Sequence, residues 1–464
     1  MIIVIIPIAV LLLVILCKKI PVIGGNLVVA LILTGALSLL LGKVFNPVDW
    51  VSALIDGIDR IAWVLALSFF GSLYSEAQVE LGTVNTIMSS LKARFKDSPK
   101  AMVICIVLVL VLAGSLLGDA IAASTVVGVL TIGTLASIGL TGEMICAIIV
   151  MGAAMGSIMP PMTQALALAS ALVGTDPDPV FKLGYLTVGI VVVVTCIYIY
   201  YYMLRNVKKM EIPTEKKASQ ILRENWTTLI PLFALILVVF FRTINGPLKF
   251  DLMVELLKSI PGPGDAGGEG GFYGLLTTIP ILKGIANGIV LCIIFAILVC
   301  FLFPKVHRNA GRVLKNGTKN VSKTLAIQAG AGFMLGCFYM GGQIETVQAF
   351  AQGLDVRVLI WGGAVALTLI GMLTGSQSTA QNTIFTFLGP ALVSIGINPT
   401  IAALAGAHIA AAGQGAPPAD LTTFVVAGIV GGAIGKKVDP LVSMFYSLPM
   451  CIALFIVGMV ALYI

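Results

Sequence analysis

Gly118 to Pro161 reads GDAIAASTVVGVLTIGTLASIGLTGEMICAIIVMGAAMGSIMPP, and 257 residues later Gly375 to Pro418 reads GSQSTAQNTIFTFLGPALVSIGINPTIAALAGAHIAAAGQGAPP. The two stretches align without a gap over forty-four residues and share eleven identities. Among them are Gly118/Gly375, Ser137-Ile138-Gly139/Ser394-Ile395-Gly396, Gly156/Gly413 and Pro160-Pro161/Pro417-Pro418. A Gly- and Ala-rich chain yields some matches by chance, so the shared 21-residue step from Gly139 to Pro160 and from Gly396 to Pro417 carries more weight than the count. These landmarks break helices, and a duplicated, interrupted membrane helix sets the architecture before any other detail.

The surrounding chain is apolar throughout. Of its 464 residues, 58% are hydrophobic and 11% charged, and the mean hydropathy of +1.06 lies outside the range of soluble domains. Stretches long enough to cross a bilayer core of about 30 Å begin at Ile2 and recur to the last residue, so binding and chemistry are placed inside the membrane. The net charge of +7 sits mostly in short loops, densest from Arg205 to Arg223 and from Lys305 to Lys323. By the positive-inside rule both loops are cytoplasmic, which makes this a multi-pass protein of the cytoplasmic (inner) membrane. No basic face with interleaved aromatics marks a nucleic-acid surface. The eight cysteines stand singly, nearly all in apolar runs, and read as small core residues. Met1 to Cys17 lacks a charged leader and a cleavage site and reads as a retained membrane helix.

Membrane helices are predicted at Ile2 to Cys17, Val22 to Leu41, Ile61 to Ser75, Ala101 to Leu117, Leu183 to Leu204, Thr227 to Phe241, Gly284 to Phe303, Lys323 to Met340, Arg357 to Leu373 and Pro440 to Ile464. Each repeat core is expected to hold a re-entrant hairpin, near Gly118 to Thr134 and near Gly375 to Val393, followed by a helix interrupted at its Pro-Pro. Half-polar stretches, Asn46 to Arg60 and Gly342 to Val356, read as helices lying along the membrane surface. Asn245 to Gly271, with PGPGDAGGEGG, reads as an irregular connector. The expected plan is therefore a first repeat half over 1–204 (core 118–175), a linker with one membrane helix over 205–271, and a second half over 272–464 (core 374–432). Counting three crossings from Lys92–Lys100 to the basic loops sets that stretch on the opposite face from them, and the relative orientation of the repeats hangs on this count.

A broken helix exposes carbonyls on one side and N–H groups on the other, so it offers ligands to a cation and a positive dipole end to an anion. The candidate cation-binding residues, for sodium, are Gly118, Asp119, Ser124, Thr125, Gly156, Ser157 and Pro160 in the first core, with Ser376, Asn382, Thr383, Gly413, Gln414 and Gly415 in the second. Candidate substrate contacts are Ser124, Thr163, Gln377, Ser378, Gln381, Asn382, Gln414 and Asp420. A single Ser or Thr in such a helix more often eases close packing. Ser376 to Thr383, eight residues with Ala380 as the single apolar member, is too polar for that reading alone. Asp119 binds a cation, carries a proton or caps a half-helix; His408 reads as a core histidine satisfied by one hydrogen bond. Asp176 and Asp178 are expected to face water.

Leu117-Gly118-Asp119 is close to the Gly-x-Gly-Asp motif of intramembrane aspartyl proteases, but Leu116 stands where the first Gly belongs. No HExxH, GxSxG or Walker A sequence is present, so the expectation is a non-enzyme driven by a gradient. GAAMGSIMPP, GDAIAASTVVG and GINPTIAALAGAHIAAAGQGAPPADLTTFVVAGIVG resemble the large membrane subunit of tripartite ATP-independent periplasmic (TRAP) transporters, within an ion-transporter superfamily that includes divalent-anion:sodium symporters. AQNTIFTFLGP is similar to the Ser-Asn-Thr hairpin tips of those symporters, with Gln381 in place of Ser. The resemblance implies an all-α elevator transporter whose hairpins and broken helices form a moving transport domain, driven by sodium, carrying organic acids, and served by an extracytoplasmic binding protein and a small membrane subunit. It also implies two sodium sites, Gly118 to Thr125 with Gly156 to Pro160, and Ser376 to Thr383 with Gly413 to Pro417. Met162 departs from the Ser that often follows the family's Pro-Pro, Asp119 and Asp420 add negative charge, and neither core has an Arg or Lys. An anion would be held by helix N-termini and by Ser, Thr, Asn and Gln, and a neutral or zwitterionic substrate also fits. The alternative is a stand-alone proton-coupled carrier or sodium/proton antiporter of the same superfamily, using Asp119, Asp420 or His408.

Overall fold

Asp119 and Ser376 occupy the same place in the two copies, and each starts a helix directly after a glycine has ended one. In the computed structural model, which describes residues 2–17, 24–95, 98–205, 207, 217–243, 250–262 and 271–464, helix Pro99–Leu117 stops at Gly118 (φ 66°) and helix Val356–Thr374 stops at Gly375 (φ 63°). Glycine enters this left-handed region without steric cost. A Cβ at either position would also press on the carbonyl of Met162 or Ala419, so each tip docks on the chain beyond its own Pro-Pro. Asp119 then accepts from Ala122 N at 2.7 Å and Ser376 from Thr379 N at 3.3 Å, capping the second arms.

Each second arm carries one widened turn. Ala120–Ala123 passes through a π-helical turn, Ser124–Gly128, into Val129–Ser137; Gln377–Ala380 passes through Gln381–Phe385 into Thr386–Ser394. The interrupted helices follow: Gly142–Ile158 and Gln164–Val173 about the cis Pro160-Pro161 bond, Pro399–Gly415 and Leu421–Ile434 about the cis Pro417-Pro418 bond. Proline has no N–H to donate and its ring clashes with the preceding turn, so neither helix continues through its pair. Pro177–Tyr198, extended by Ile199–Met203, and Pro440–Ala461 complete the copies.

Every helix boundary from Pro99 to Ile158 recurs 257 residues later, so the structural repeat begins well before the sequence identity. The hairpins are longer than expected: the segments Ala101 to Leu117 and Arg357 to Leu373, each long and apolar enough to cross a membrane, form their first arms, and the tips lie at Gly118-Asp119 and Gly375-Ser376. Lys100 Nζ lies 5.0 Å from the ring of Tyr200 and Arg205 lies against Tyr202, so Lys100 and Arg205 share one end of the molecule, against the count of three crossings, which sets them on opposite faces. The interrupted helices run in opposite directions. Gly142, at the start of the first, lies beside Ile434 and Val438 at the end of the second, while Val173, at the end of the first, lies beside Gly389 in the arm that leads into the second.

The remaining helices brace this repeat core. Ala310–Met340 is their axis, with Leu27–Leu41, Pro47–Arg60 and Ala62–Leu81 against it; Gly288–Phe301 packs on Ala62–Leu81 and Ile230–Thr243 on Gly288–Phe301. Pro47–Arg60 buries only Ala53 and Gly57, which meet Gly336 and Gly332 backbone to backbone. Two small residues four apart on each partner allow this approach. The expected half-polar helices thus form, the second as Gln343–Gln352. Within the expected irregular connector, Leu252–Ser259 is helical and capped by Asp251; residues 245–249 and 263–270 of that stretch, and 206 and 208–216 of the first basic loop, lie outside the described residues. Asp178 does not simply face water. Arg242 holds it bidentately at 3.0 and 2.9 Å and reaches Asp251 at 2.9 Å, while Asp176 caps Pro177–Tyr198.

Candidate functional site

Four helix N-termini open onto one cavity. Ala120, Gln164, Gln377 and Leu421 are first residues of the two second arms and of the two helices resumed after the breaks, and all four line a space of about 110 Å³. Each terminus carries roughly half a positive charge, offset at two of them by the capping carboxylates of Asp119 and Asp420. Among the lining residues Asp119 is the single ionisable one, and no Lys, Arg or His lines the space. The cavity lies where the copies meet, with Thr324, Ile327 and Gln328 of Ala310–Met340 closing one side.

Eight of the sequence-predicted residues come together here: Gly118, Asp119, Ser157, Ser376, Gln377, Ser378, Gln381 and Gln414. Gln414 Oε1 accepts from Gln377 N at 2.9 Å, tying the second tip to its broken helix. Ser376 and Ser378 hydroxyls lie 3.1 Å apart, and Ser157 donates to Ala154 O at 2.9 Å. Gln381 donates Nε2 to Ala165 O at 2.8 Å, across the copies, and its buried Oε1 has no partner.

Ser124, Thr125, Asn382 and Thr383 sit on the widened turns rather than on the cavity wall. Thr125 donates to Ile121 O and Thr383 to Thr379 O, both at 2.8 Å. Ser124 and Asn382 are each 1% exposed, and neither the Ser124 hydroxyl nor either side-chain polar atom of Asn382 has a protein partner. Buried polar atoms are normally paired, so these two are the strongest internal mark of a ligand. No cluster of His, Cys, Asp and Glu fit for a metal occurs among the described residues, but sodium is held by carbonyl, hydroxyl and amide oxygens of this kind.

Other expected residues are accounted for by packing and capping. Gly156 crosses Gly114 and Gly413 crosses Gly371 so closely that a Cβ on any of them would meet backbone, and Gly415 backs onto Cys451 Sγ. Pro160 O accepts from the Ser115 hydroxyl. Thr163 and Asp420 cap the resumed helices: Thr163 accepts from Leu166 N at 3.3 Å, and Asp420 accepts from Thr422 N at 3.0 Å, from Thr423 N at 3.2 Å and from the Thr423 hydroxyl. With both Asp420 oxygens engaged by its own helix and the residue 1% exposed, it is not a cavity contact. His408 bonds Leu404 O through Nδ1 at 2.8 Å, away from the cavity.

Sequence reading missed Thr324 and Gln328. Gln328 donates Nε2 to the Ser68 hydroxyl at 2.8 Å, and its buried Oε1 has no partner. An amide within the apolar stretch Lys323 to Met340 was the available signal.

Two solved transporters share this fold at 14% identity. The YdaH transporter of Alcanivorax borkumensis superposes with a TM-score of 0.65 over 94% of this chain and 97% of that chain. MtrF of Neisseria gonorrhoeae, described as one of a class of antimetabolite efflux pumps, superposes with a TM-score of 0.60 over 99% of this chain and 95% of that chain. Among curated proteins none matches the chain. Residues 5–464 match the family described as the tripartite ATP-independent periplasmic transporter, DctM component, and the chain, with its duplicated interrupted helices inside a multi-pass membrane protein, belongs to that family of transporters.

Proposed function

We propose that this chain is a sodium-coupled secondary transporter of a small organic acid, working by an elevator motion together with an extracytoplasmic binding protein and a small membrane subunit. The observation that carries the reading is the convergence of four helix N-termini on a cavity without a cationic side chain. Such a cavity favours an anion through backbone dipoles alone, and it relies on a cation bound nearby to offset Asp119 and the substrate's own charge. The widened turns supply that place, where Ser124 and Asn382 keep buried oxygens without partners. The opposite directions of the interrupted helices support an inverted repeat, with the end that bears Lys100, Arg205, Lys436 and Lys437 in the cytoplasm. In this motion the repeat core slides along the helices braced on Ala310–Met340, carrying the cavity from one side to the other.

The test is thermal unfolding of the purified protein in sodium and in potassium chloride at equal ionic strength. Sodium is expected to raise Tm above potassium in the wild type, and Asn382→Ala to abolish the difference. Equal Tm values in the two salts across pH would sink sodium coupling and shift the driving ion to the proton.

A further inference from the structure

Between the repeat core and helix Ile230–Thr243 lies a second space, about 490 Å³, with an almost wholly apolar lining. Its core wall is Leu108, Leu112 and Leu116 with the rings of Pro160 and Pro161; its scaffold wall is Ile236, Val239 and Phe240. The polar groups on its lining are few. The Ser115 hydroxyl is already bonded to Pro160 O, which leaves the phenol of Tyr185. Water gains little from such a space, and apolar cavities without polar partners stay dry.

The other repeat identifies the occupant. The residues 257 positions after Leu108, Leu112 and Leu116 are Val365, Leu369 and Leu373, one stripe along the matching arm, and each is about half exposed on the outside of the molecule. In a chain that spans a membrane, that stripe lies against hydrocarbon. The first repeat presents the same apolar stripe, but there Ile230–Thr243 stands off from it, held to the core at its end where Arg242 grips Asp178. The outer lip, Leu108, Ile236 and Phe240, is itself exposed, so the space is continuous with the lipid-facing surface.

We propose that this crevice is a lipid site, filled by one acyl chain of a phospholipid that enters from the bilayer and lies against the Pro160-Pro161 break. Because one wall belongs to the repeat core and the other to the scaffold, the chain separates the two bodies with a deformable hydrocarbon surface in place of interlocked side chains.

The experiment uses the full chain in nanodiscs made with phosphatidylcholine bearing a diazirine midway along one acyl chain, irradiated and mapped by peptide mass. Adducts are expected to be denser at Leu112 and Val239 than at Val193 and Val194, which lie on the open apolar surface. Val239→Trp is expected to remove the Leu112 adducts, and Leu112→Trp those at Val239, whereas Val193→Trp leaves both. If the filled variants do not fold, the wild-type map decides alone: adducts no denser in the crevice than at Val193 overturn the proposal. A photo-reactive residue at Val239 in whole membranes is expected to capture lipid; capture of a polypeptide there would overturn it as well.

Discussion

Gly406 lies under the ring of Phe385, so close that a Cβ on it would run into the ring, and 257 residues earlier the same contact is made with the sizes exchanged: Ile149 fills the space beside Gly128. The two copies solve one packing problem, small against large, in opposite ways. Gly406→Ala is therefore expected to cost about 1–3 kcal/mol by overpacking, and Phe385→Leu to recover part of that loss in the double variant. A double-mutant cycle on thermal unfolding checks it; simple additivity would show that the ring and the glycine do not share the space.

The axis of the scaffold offers an internal control. Gly336 meets Ala53 and Gly57 through backbone, while Gly311, on the same helix, has open space where a Cβ would stand. Gly336→Ala is expected to destabilise by about 1–3 kcal/mol, and Gly311→Ala to be neutral or to stabilise by up to about 1 kcal/mol, since alanine suits a helix interior better than glycine. Melting curves of both variants test this, and equal effects would contradict the close crossing.

Asp119 has Ser376 as its counterpart, and both cap a second arm. Asp119→Ser is expected to keep the cap and the stability of the parent, and Asp119→Ala to lose about 1 kcal/mol. If sodium stabilisation survives in the serine variant, the carboxylate serves the cap and not the ion; its loss in both variants would assign it to the ion.

Arg242 joins the two bodies that an elevator must move apart. Its guanidinium grips Asp178 on the core and Asp251 on the scaffold, with 16% of its side chain exposed against 33% and 23% for the carboxylates. That partial exposure places the expected cost of Arg242→Gln at about 1–2 kcal/mol, below the 3–5 kcal/mol of a fully buried pair. The same variant is expected to speed uptake in proteoliposomes, because under the proposed elevator motion the clamp would open in each cycle. A slower rate at unchanged substrate affinity would show that the clamp guides the motion and does not hold it back.

Much of this was legible in the sequence for a physical reason. Gly118, Gly375 and the two Pro-Pro pairs act through the backbone, and backbone constraints appear directly as residue types. The pairing of the hairpin arms is not legible in hydropathy, which measures only length and apolarity; tertiary contacts such as Lys100 on Tyr200 report it. The polar run Ser376 to Thr383 was found, and five of its members divide between the cavity wall (Ser376, Gln377, Ser378, Gln381) and the buried Asn382. At Gly156 and Gly413 the sequence does not separate packing from binding, because both favour the same small side chain. For the Ala310–Met340 helix the one local signal was the amide of Gln328 in an apolar stretch, which marks a polar surrounding but not which cavity it closes.

Gln328 closes that side, and its position makes the last prediction specific. It belongs to the scaffold, its Nε2 is committed to Ser68, and its Oε1, like that of Gln381 on the core, has no protein partner. Under the proposed elevator motion, a substrate donor bonded to that oxygen would be held only while the cavity stands opposite Gln328, which would favour one end of the path over the other. Gln328→Leu removes the acceptor and is expected to raise KM for uptake by roughly 2- to 10-fold, the worth of one hydrogen bond of about 0.5–1.5 kcal/mol, while sodium stabilisation is unchanged. Measuring uptake and counterflow in oriented proteoliposomes separates the two sides: the change is expected from one face only. An equal change from both faces would place Gln328 in the structure of the scaffold and not in contact with the substrate.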